Sequence, residues 1–187
     1  AEDIFEEIRK VTPSYAGITY ERAEWSLIQW PCPTTNHPGT QYLHKDKFTR
    51  GLGLFTPVEY TPPAEETDFE YPMILTTGRI LDHFHTGTMT RNSKVLDENV
   101  PEGFVEVNPN DAQNFNIEDG ELVSVSSRRG SIRIKAKVTK KVKPNTVFIP
   151  FHFFEACANE LTIDAVDPLC KIPEYKVCSC RIEKIQP

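Results

Sequence analysis

Two segments with strict two-residue periodicity constrain this chain most. Leu122 to Ser126 alternates apolar with small polar residues, and Ser131 to Val138 sets Ile132, Ile134, Ala136 and Val138 against Ser131, Arg133, Lys135 and Lys137. Successive strand side chains point to opposite faces, so each segment reads as a half-buried strand, wet on one side and packed on the other. Arg128-Arg129-Gly130 between them supplies a turn, which makes the pair a hairpin. Further short apolar runs, Tyr71 to Leu75, Phe104 to Val107, Val147 to Ile149 and Val177 to Ile182, bring the expected strands to about six. Short strands joined by helical turns hide their edges best in a closed or nearly closed barrel. Asn108 is placed to cap a short helix with Pro109 at its first position, and Glu118-Asp119-Gly120 to end that unit in a turn.

Residues 1 to 70 have a different texture. Ile4, Phe5, Ile8 and Val11 share a helical face, acidic residues come early and Arg9-Lys10 late, and Pro13 ends the helix. A second short helix is expected from Thr19 to Trp25. From Pro31 to Pro63, prolines and glycines predict an irregular wrapping segment with isolated short strands, and Trp25, Trp30, Tyr42, Phe48 and Phe55 argue against a free linker. The polar stretch Pro62 to Asp68 marks the boundary. Residues 1–70 are thus read as an extension packing on the barrel or on upstream domains, and 71–187 as the barrel domain.

Charge and cysteine content narrow the function classes. With 21 basic and 27 acidic residues in 187, the net charge of −6 argues against nucleic acid as a general partner. An acidic domain still holds an anionic ligand where local groups allow it. No run of about 18 apolar residues occurs, so neither a leader nor a spanning helix is expected. Cys32, Cys157, Cys170, Cys178 and Cys180 form an odd set without CxxC spacing, which favours reduced thiols in a cytoplasmic protein over an iron–sulfur or zinc site. A site built from Cys178, Cys180, His83 and His85 is the metal alternative. The chain has no Walker loop, GxGxxG or GxSxG, and Gly130-Ser131, a possible self-cleavage pair, is an ordinary turn dipeptide.

The richest ligand chemistry follows the first barrel strand. Thr76-Thr77-Gly78-Arg79, His83-Phe84-His85-Thr86 and Thr90-Arg91 place hydroxyls, imidazoles and guanidinium groups at a strand end. Gly78 permits a turn and a close ligand approach, and Arg79 and Arg91 can form charge-assisted bonds to phosphate or an electron-rich heterocycle. The plainer alternative is a polar strand-end turn. His83 and His85 also match a His-x-His metal pair without an evident third ligand, and His83 equally suits a core histidine. His152, inside Pro150-Phe151-His152-Phe153, can hydrogen-bond a heterocycle beside an aromatic ring, or the segment can be apolar closure. Asn159 can donate and accept at once, or end a helix. Lys176 is either a cation for an anionic ligand or a surface charge, while Arg128 and Arg129 are expected to face solvent at the hairpin tip, outside the site.

The pieces Ile28-Gln29-Trp30-Pro31-Cys32-Pro33, Gly39-Thr40, Tyr71 to Arg91, Val105-Glu106-Val107-Asn108-Pro109, Ser127-Arg128-Arg129-Gly130, Phe151-His152-Phe153 and Pro173-Glu174-Tyr175-Lys176 run from residue 28 to residue 176 and mark a pattern that covers about residues 1 to 185. In this pattern the chain resembles the C-terminal part of molybdenum- or tungsten-dependent formate dehydrogenase catalytic subunits. The resemblance implies a mainly β fold with short helices, a double-psi β-barrel of the aspartate decarboxylase-like kind. It also implies a domain closing over bis(molybdopterin guanine dinucleotide), with Gly78, Arg79, His83, His85, Thr86, His152, Asn159, Tyr175 and Lys176 as the cofactor-binding set and no catalytic or metal-ligating residue. The metal ligand and a [4Fe–4S] motif would belong to earlier parts of the subunit, so a fragment without activity of its own is expected. Upstream domains and an electron-transfer beta subunit are the implied protein partners. A nitrate reductase or formylmethanofuran dehydrogenase domain, or a stand-alone barrel for small-ligand or protein binding, is the alternative.

Overall fold

The computed structural model describes residues 1–185. The chain divides into two compact units, Ala1–Glu59 and a second beginning at Tyr60.

In the first unit, α1 (Glu2–Val11) carries Glu2 and Asp3 in its first turn and Arg9 and Lys10 in its last, matching the helix dipole, and stops at Thr12 ahead of Pro13. Helix α2 (Tyr20–Trp25) is capped by Thr19, whose hydroxyl accepts from the Arg22 N–H at 3.1 Å. Phe5 meets Tyr15 and Tyr20 edge-on, and Tyr15 stacks on Trp30. Arg22 donates to the His37 carbonyl at 2.8 Å, tying the irregular segment to α2 across buried Cys32. The strands expected between Pro31 and Pro63 amount, among the described residues, to one bridge between Phe48 and Gly51. Prolines there remove the donors that a ladder needs.

The second unit is the barrel. Its strands are β1 (Met73–Gly78), β2 (Phe104–Val107), β3 (Leu122–Ser126), β4 (Ser131–Val138), β5 (Thr146–Pro150) and β6 (Cys178–Lys184). They close in the order β1-β5-β2-β4-β3-β6. Pairs β1·β5 and β2·β4 are parallel and the other four antiparallel. Parallel neighbours require crossovers, and two crossed parallel pairs in a six-stranded ring give the double-psi arrangement. Alternation settles which face is filled. Ile132, Ile134 and Ala136 of β4 turn inward while Arg133, Lys135 and Lys137 stay in solvent. Leu75, Val105, Val107, Val123, Val125 and Val147 are fully buried with them in one core. Cys178 and Cys180 also point inward, and burial pushes the Cys178 thiol up to about 11, so both are inert core groups.

Helix α4 (Pro109–Asn114) begins as its sequence predicts, with the Asn108 side chain accepting from the Asn110 N–H at 3.0 Å. Helix α3 (Lys94–Asn99) was not anticipated; it lies in the crossover between β1 and β2.

The stretch Pro62 to Asp68, read above as a boundary, belongs to the barrel unit. Glu65 accepts from Arg129 at 2.7 and 2.9 Å, from Arg128 at 2.6 Å and from the Ser179 N–H at 2.9 Å. Asp68 also pairs with Arg128, whose guanidinium lies over the Tyr71 ring. Arg129 further donates to the Leu161 carbonyl at 2.8 Å. The arginines do stand at the surface of the hairpin, but their charges are spent holding the strap to it. Burial of Glu65 alone would raise its pKa, yet the bonds from Arg129, Ser179 and Arg128 outweigh that and hold it down at about 2. Its folded value is therefore below the unfolded one, so this stability is complete above about pH 4.5 and is lost as pH falls toward 2. Glu65→Gln is expected to cost about 2 kcal/mol at pH 7, and urea denaturation at pH 3 should show a smaller gap between variant and wild type.

Candidate functional site

The strand pairing collects three loops at one end of the barrel. Because β1 and β5 are parallel with Gly78 opposite Pro150, Arg79 and Phe151 leave the sheet side by side, and the Phe151 N–H donates to the Gly78 carbonyl at 3.2 Å. The Arg79 guanidinium lies 5.5 Å from the centre of the Phe151 ring. Strand β6 runs antiparallel to β1 with Cys178 opposite Leu75, so the segment before it arrives at the same end. There the Thr77 hydroxyl donates to the Tyr175 carbonyl at 2.7 Å, and the Tyr175 ring meets Phe151 edge-on.

A cleft of ≈ 510 Å³ opens between these segments, lined by Arg79, His85, Thr86, Phe151, Asn159, Thr162, Ile163, Pro173 and Tyr175. Its far wall is a single 3-10 turn, Ala158–Glu160, anchored by buried Ala158 and Leu161. With those two side chains turned inward, Asn159 and Thr162 are left facing the cleft, and the Thr162 hydroxyl donates to the Asn159 carbonyl at 3.2 Å. The cleft therefore offers a cation, a bifunctional amide, several hydroxyls, an imidazole and two aromatic rings. That set suits a flat, polar, anionic heterocycle.

Of the nine residues expected at the site, Arg79, His85, Thr86, Asn159 and Tyr175 stand on this lining. The other four do not. A Cβ on Gly78 would lie 2.9 Å from Phe148 Cε2, so glycine there makes room for a neighbouring ring. Lys176 is exposed beside Tyr175 but off the lining. His83 is buried, its Nε2–H donating to the Val100 carbonyl at 2.8 Å and its Nδ1 accepting from the Thr90 hydroxyl at 3.1 Å. The Val100 carbonyl can only accept, so Nε2 must carry a proton, and the Thr90 oxygen also accepts from the Phe84 N–H at 3.1 Å. His152 is fully buried, with Nε2 accepting from the Ile80 N–H at 3.0 Å and Nδ1–H donating to the His85 carbonyl. Both imidazoles have spent their two nitrogens inside the protein, which leaves neither free to meet a ligand.

Arg91 is likewise committed. It binds Glu155 at 2.7 Å, Asp97 at 3.4 Å and the Pro101 carbonyl at 3.2 Å, on the wall of an adjacent ≈ 580 Å³ cavity that shares Thr86 with the cleft. Arg79 is exposed and also borders a ≈ 380 Å³ groove that contains Lys137 and Lys141. Thr162, Ile163 and Pro173 were not anticipated; Thr162 could have been found from its place three residues after Asn159. Among the described residues no group of three or more His, Cys, Asp or Glu side chains is placed to hold a metal ion, and no helix is long and apolar enough to cross a membrane.

Comparison with known proteins accords with this architecture. The chain is 58% identical over 186 residues to the F420-dependent formate dehydrogenase subunit alpha of Methanocaldococcus jannaschii, covering 98% of this chain and 28% of that protein. It is 40% identical to the assimilatory nitrate reductase catalytic subunit of Bacillus subtilis, covering 97% of this chain and 27% of that protein. Against formate dehydrogenase H of Escherichia coli it is 36% identical, with coverages of 98% and 27%. The chain thus spans little more than a quarter of the length of these relatives. Among solved structures, acetylene hydratase from Pelobacter acetylenicus shares the fold, with a TM-score of 0.54 and 19% identity over 62% of this chain and 19% of that one. Residues 73–179, which run from the start of β1 into β6 and carry every cleft residue, match the model of the Molydopterin dinucleotide binding domain, and the chain belongs to that family.

Proposed function

We propose that this domain forms one wall of the binding site for bis(molybdopterin guanine dinucleotide), carrying molybdenum or tungsten, in the catalytic subunit of a formate dehydrogenase that oxidises formate to CO2. The observation that carries this reading is the convergence of Arg79, Asn159 and Tyr175, distant in sequence, on one cleft at the end of the barrel. The formate assignment is supported by 58% identity to a formate dehydrogenase alpha subunit, against 40% to the nitrate reductase. A [4Fe–4S] centre and the protein ligand to the metal are assigned to the remainder of a longer subunit, and an electron-transfer beta subunit to its surroundings.

The cleft residues fit the group. A pterin edge presents adjacent donors and acceptors, which the Asn159 amide answers with one of each. The Arg79 guanidinium, held over Phe151, offers N–H donors to phosphate oxygens, and the Thr86 and Thr162 hydroxyls fix orientation. Phe151 and Tyr175 give the heterocycle an aromatic side and exclude water from it. When bound, the metal–dithiolene group supplies the two-electron chemistry. This chain's residues supply position and compensating charge.

Arg79→Ala in the full-length subunit is expected to weaken cofactor retention about 10- to 150-fold, the equivalent of one charge-assisted hydrogen bond of about 1.5–3 kcal/mol. Because Arg79 is exposed, stability should change by no more than about 0.5 kcal/mol. Arg133→Ala, on the outer face of β4, is the control and should retain pterin and metal at the wild-type level. Equal retention in the two variants would remove Arg79 from the site.

Asn159→Asp tests the amide separately. It replaces a donor with a second acceptor and adds negative charge facing an anionic ligand, so pterin content per subunit should fall at least about 10-fold at unchanged melting temperature. Undiminished pterin in that variant would mean that the turn carrying Asn159 does not touch the cofactor.

A further inference from the structure

The crossover leaving β1 has no ladder to hold it, yet it delivers Arg79, His85 and Thr86 to the cleft. The two ends of its opening stretch, residues 80–85, are gripped by one side chain. His152 Nε2 accepts from the Ile80 N–H at 3.0 Å, and Nδ1–H donates to the carbonyl of His85, five residues further on. The ring has no solvent exposure and is packed between Phe151, Phe153 and His83. His85 itself has φ of 47°, a left-handed backbone uncommon for a residue with a Cβ.

We propose that His152 is a positioning residue, a neutral imidazole locked as the Nδ1–H tautomer that clasps both ends of segment 80–85 and thereby sets where Arg79 and His85 stand on the cleft wall. The inference rests on the cleft being the ligand site, but the clasp itself is measurable without ligand.

The chemistry allows one protonation state. Nε2 must keep its lone pair for Ile80; a second proton would set donor against donor at a fully buried ring. The surroundings oppose that proton. Burial lowers the pKa of His152, the bond to His85 works against this, and the nearby His83, Arg79 and His85 lower it further. Behind Phe153, Arg91 adds a positive charge that Glu155 and Asp97 offset. The folded pKa is therefore below the unfolded value of about 6.5, so the clasp contributes its full stability above that pH, and this is lost as pH falls from there through the lower folded value, where the ring takes its second proton.

The test is nitrogen-15 NMR of the 187-residue chain, whose closed barrel carries its own core. Expected at pH 7 are ring shifts of a neutral Nδ1–H imidazole at His152 and slow exchange of the Ile80 amide. On acidification the Ile80 and His85 resonances should move with the His152 transition while those of Leu75 and Val147 stay. His152→Asn keeps a donor for His85 and removes the acceptor for Ile80, so Ile80 exchange should rise at least tenfold with the core amides unchanged. In the full-length subunit the same variant should lose cofactor, and His152→Gln, whose amide oxygen can accept from Ile80, should recover part of it.

Titration of His152 at its ordinary pKa without movement of Ile80 would overturn the clasp, and the wild-type titration decides this even where a variant fails to fold. A loosened loop with full cofactor retention would overturn the positioning role. Failure of the cleft reading shows up separately, as full retention in Arg79→Ala and Asn159→Asp with the wild-type titration still as expected.

Discussion

Parallel pairing of β1 with β5 is the constraint on which the rest of the structure depends. It places the ends of two strands far apart in sequence at the same rim, and antiparallel β6 brings a third segment back to it. The cleft follows from that geometry before any side chain is considered. Arg79, Phe151 and Tyr175 are neighbours because Gly78 faces Pro150 and Leu75 faces Cys178. A barrel of purely antiparallel neighbours would have sent the β1 and β5 loops to opposite rims.

How legible this was in the sequence depends on the range of the interaction. Local signals read correctly: the alternation in β4 and the Asn108-Pro109 helix start each depend on residues within a few positions of one another. Helix α3 escaped because Lys94–Asn99 is too short for a helical period to stand out, and buries no residue. Closure of the six strands could be argued from edge protection alone. Their order could not, since no local pattern says that β1 lies beside β5, and the family resemblance supplied only the type of barrel.

The candidate site shows the same division more sharply. Residue type identified groups capable of binding, but not which of them the protein uses up internally. His83 and His85 are two positions apart in an apparent His-x-His pair, yet His83 is buried with both nitrogens paired and His85 lines the cleft. The difference lies in Thr90 and Val100, partners from further along the crossover that composition does not reveal. Arg91 and Arg129 repeat the lesson. Each has the chemistry of an anion receptor and each is neutralised by a carboxylate about 64 residues distant, Glu155 and Glu65, whereas Arg79 is left exposed at the rim.

The place of β1 in the ring bears on how the protein is made. Ile74 bonds to the Thr146 strand on one side and the Ser179 strand on the other, so both neighbours of the first strand lie at the far end of the sequence. During synthesis the ribosome releases β1 long before either partner exists, and its apolar face has nothing native to cover it until β5 and β6 emerge. Such sequence-distant contacts carry a large loop-closure entropy and slow the search for the native ring. The nascent domain therefore keeps apolar strand surface uncovered up to its last strand, and truncations that remove β6 expose β1 together with the edge of β3.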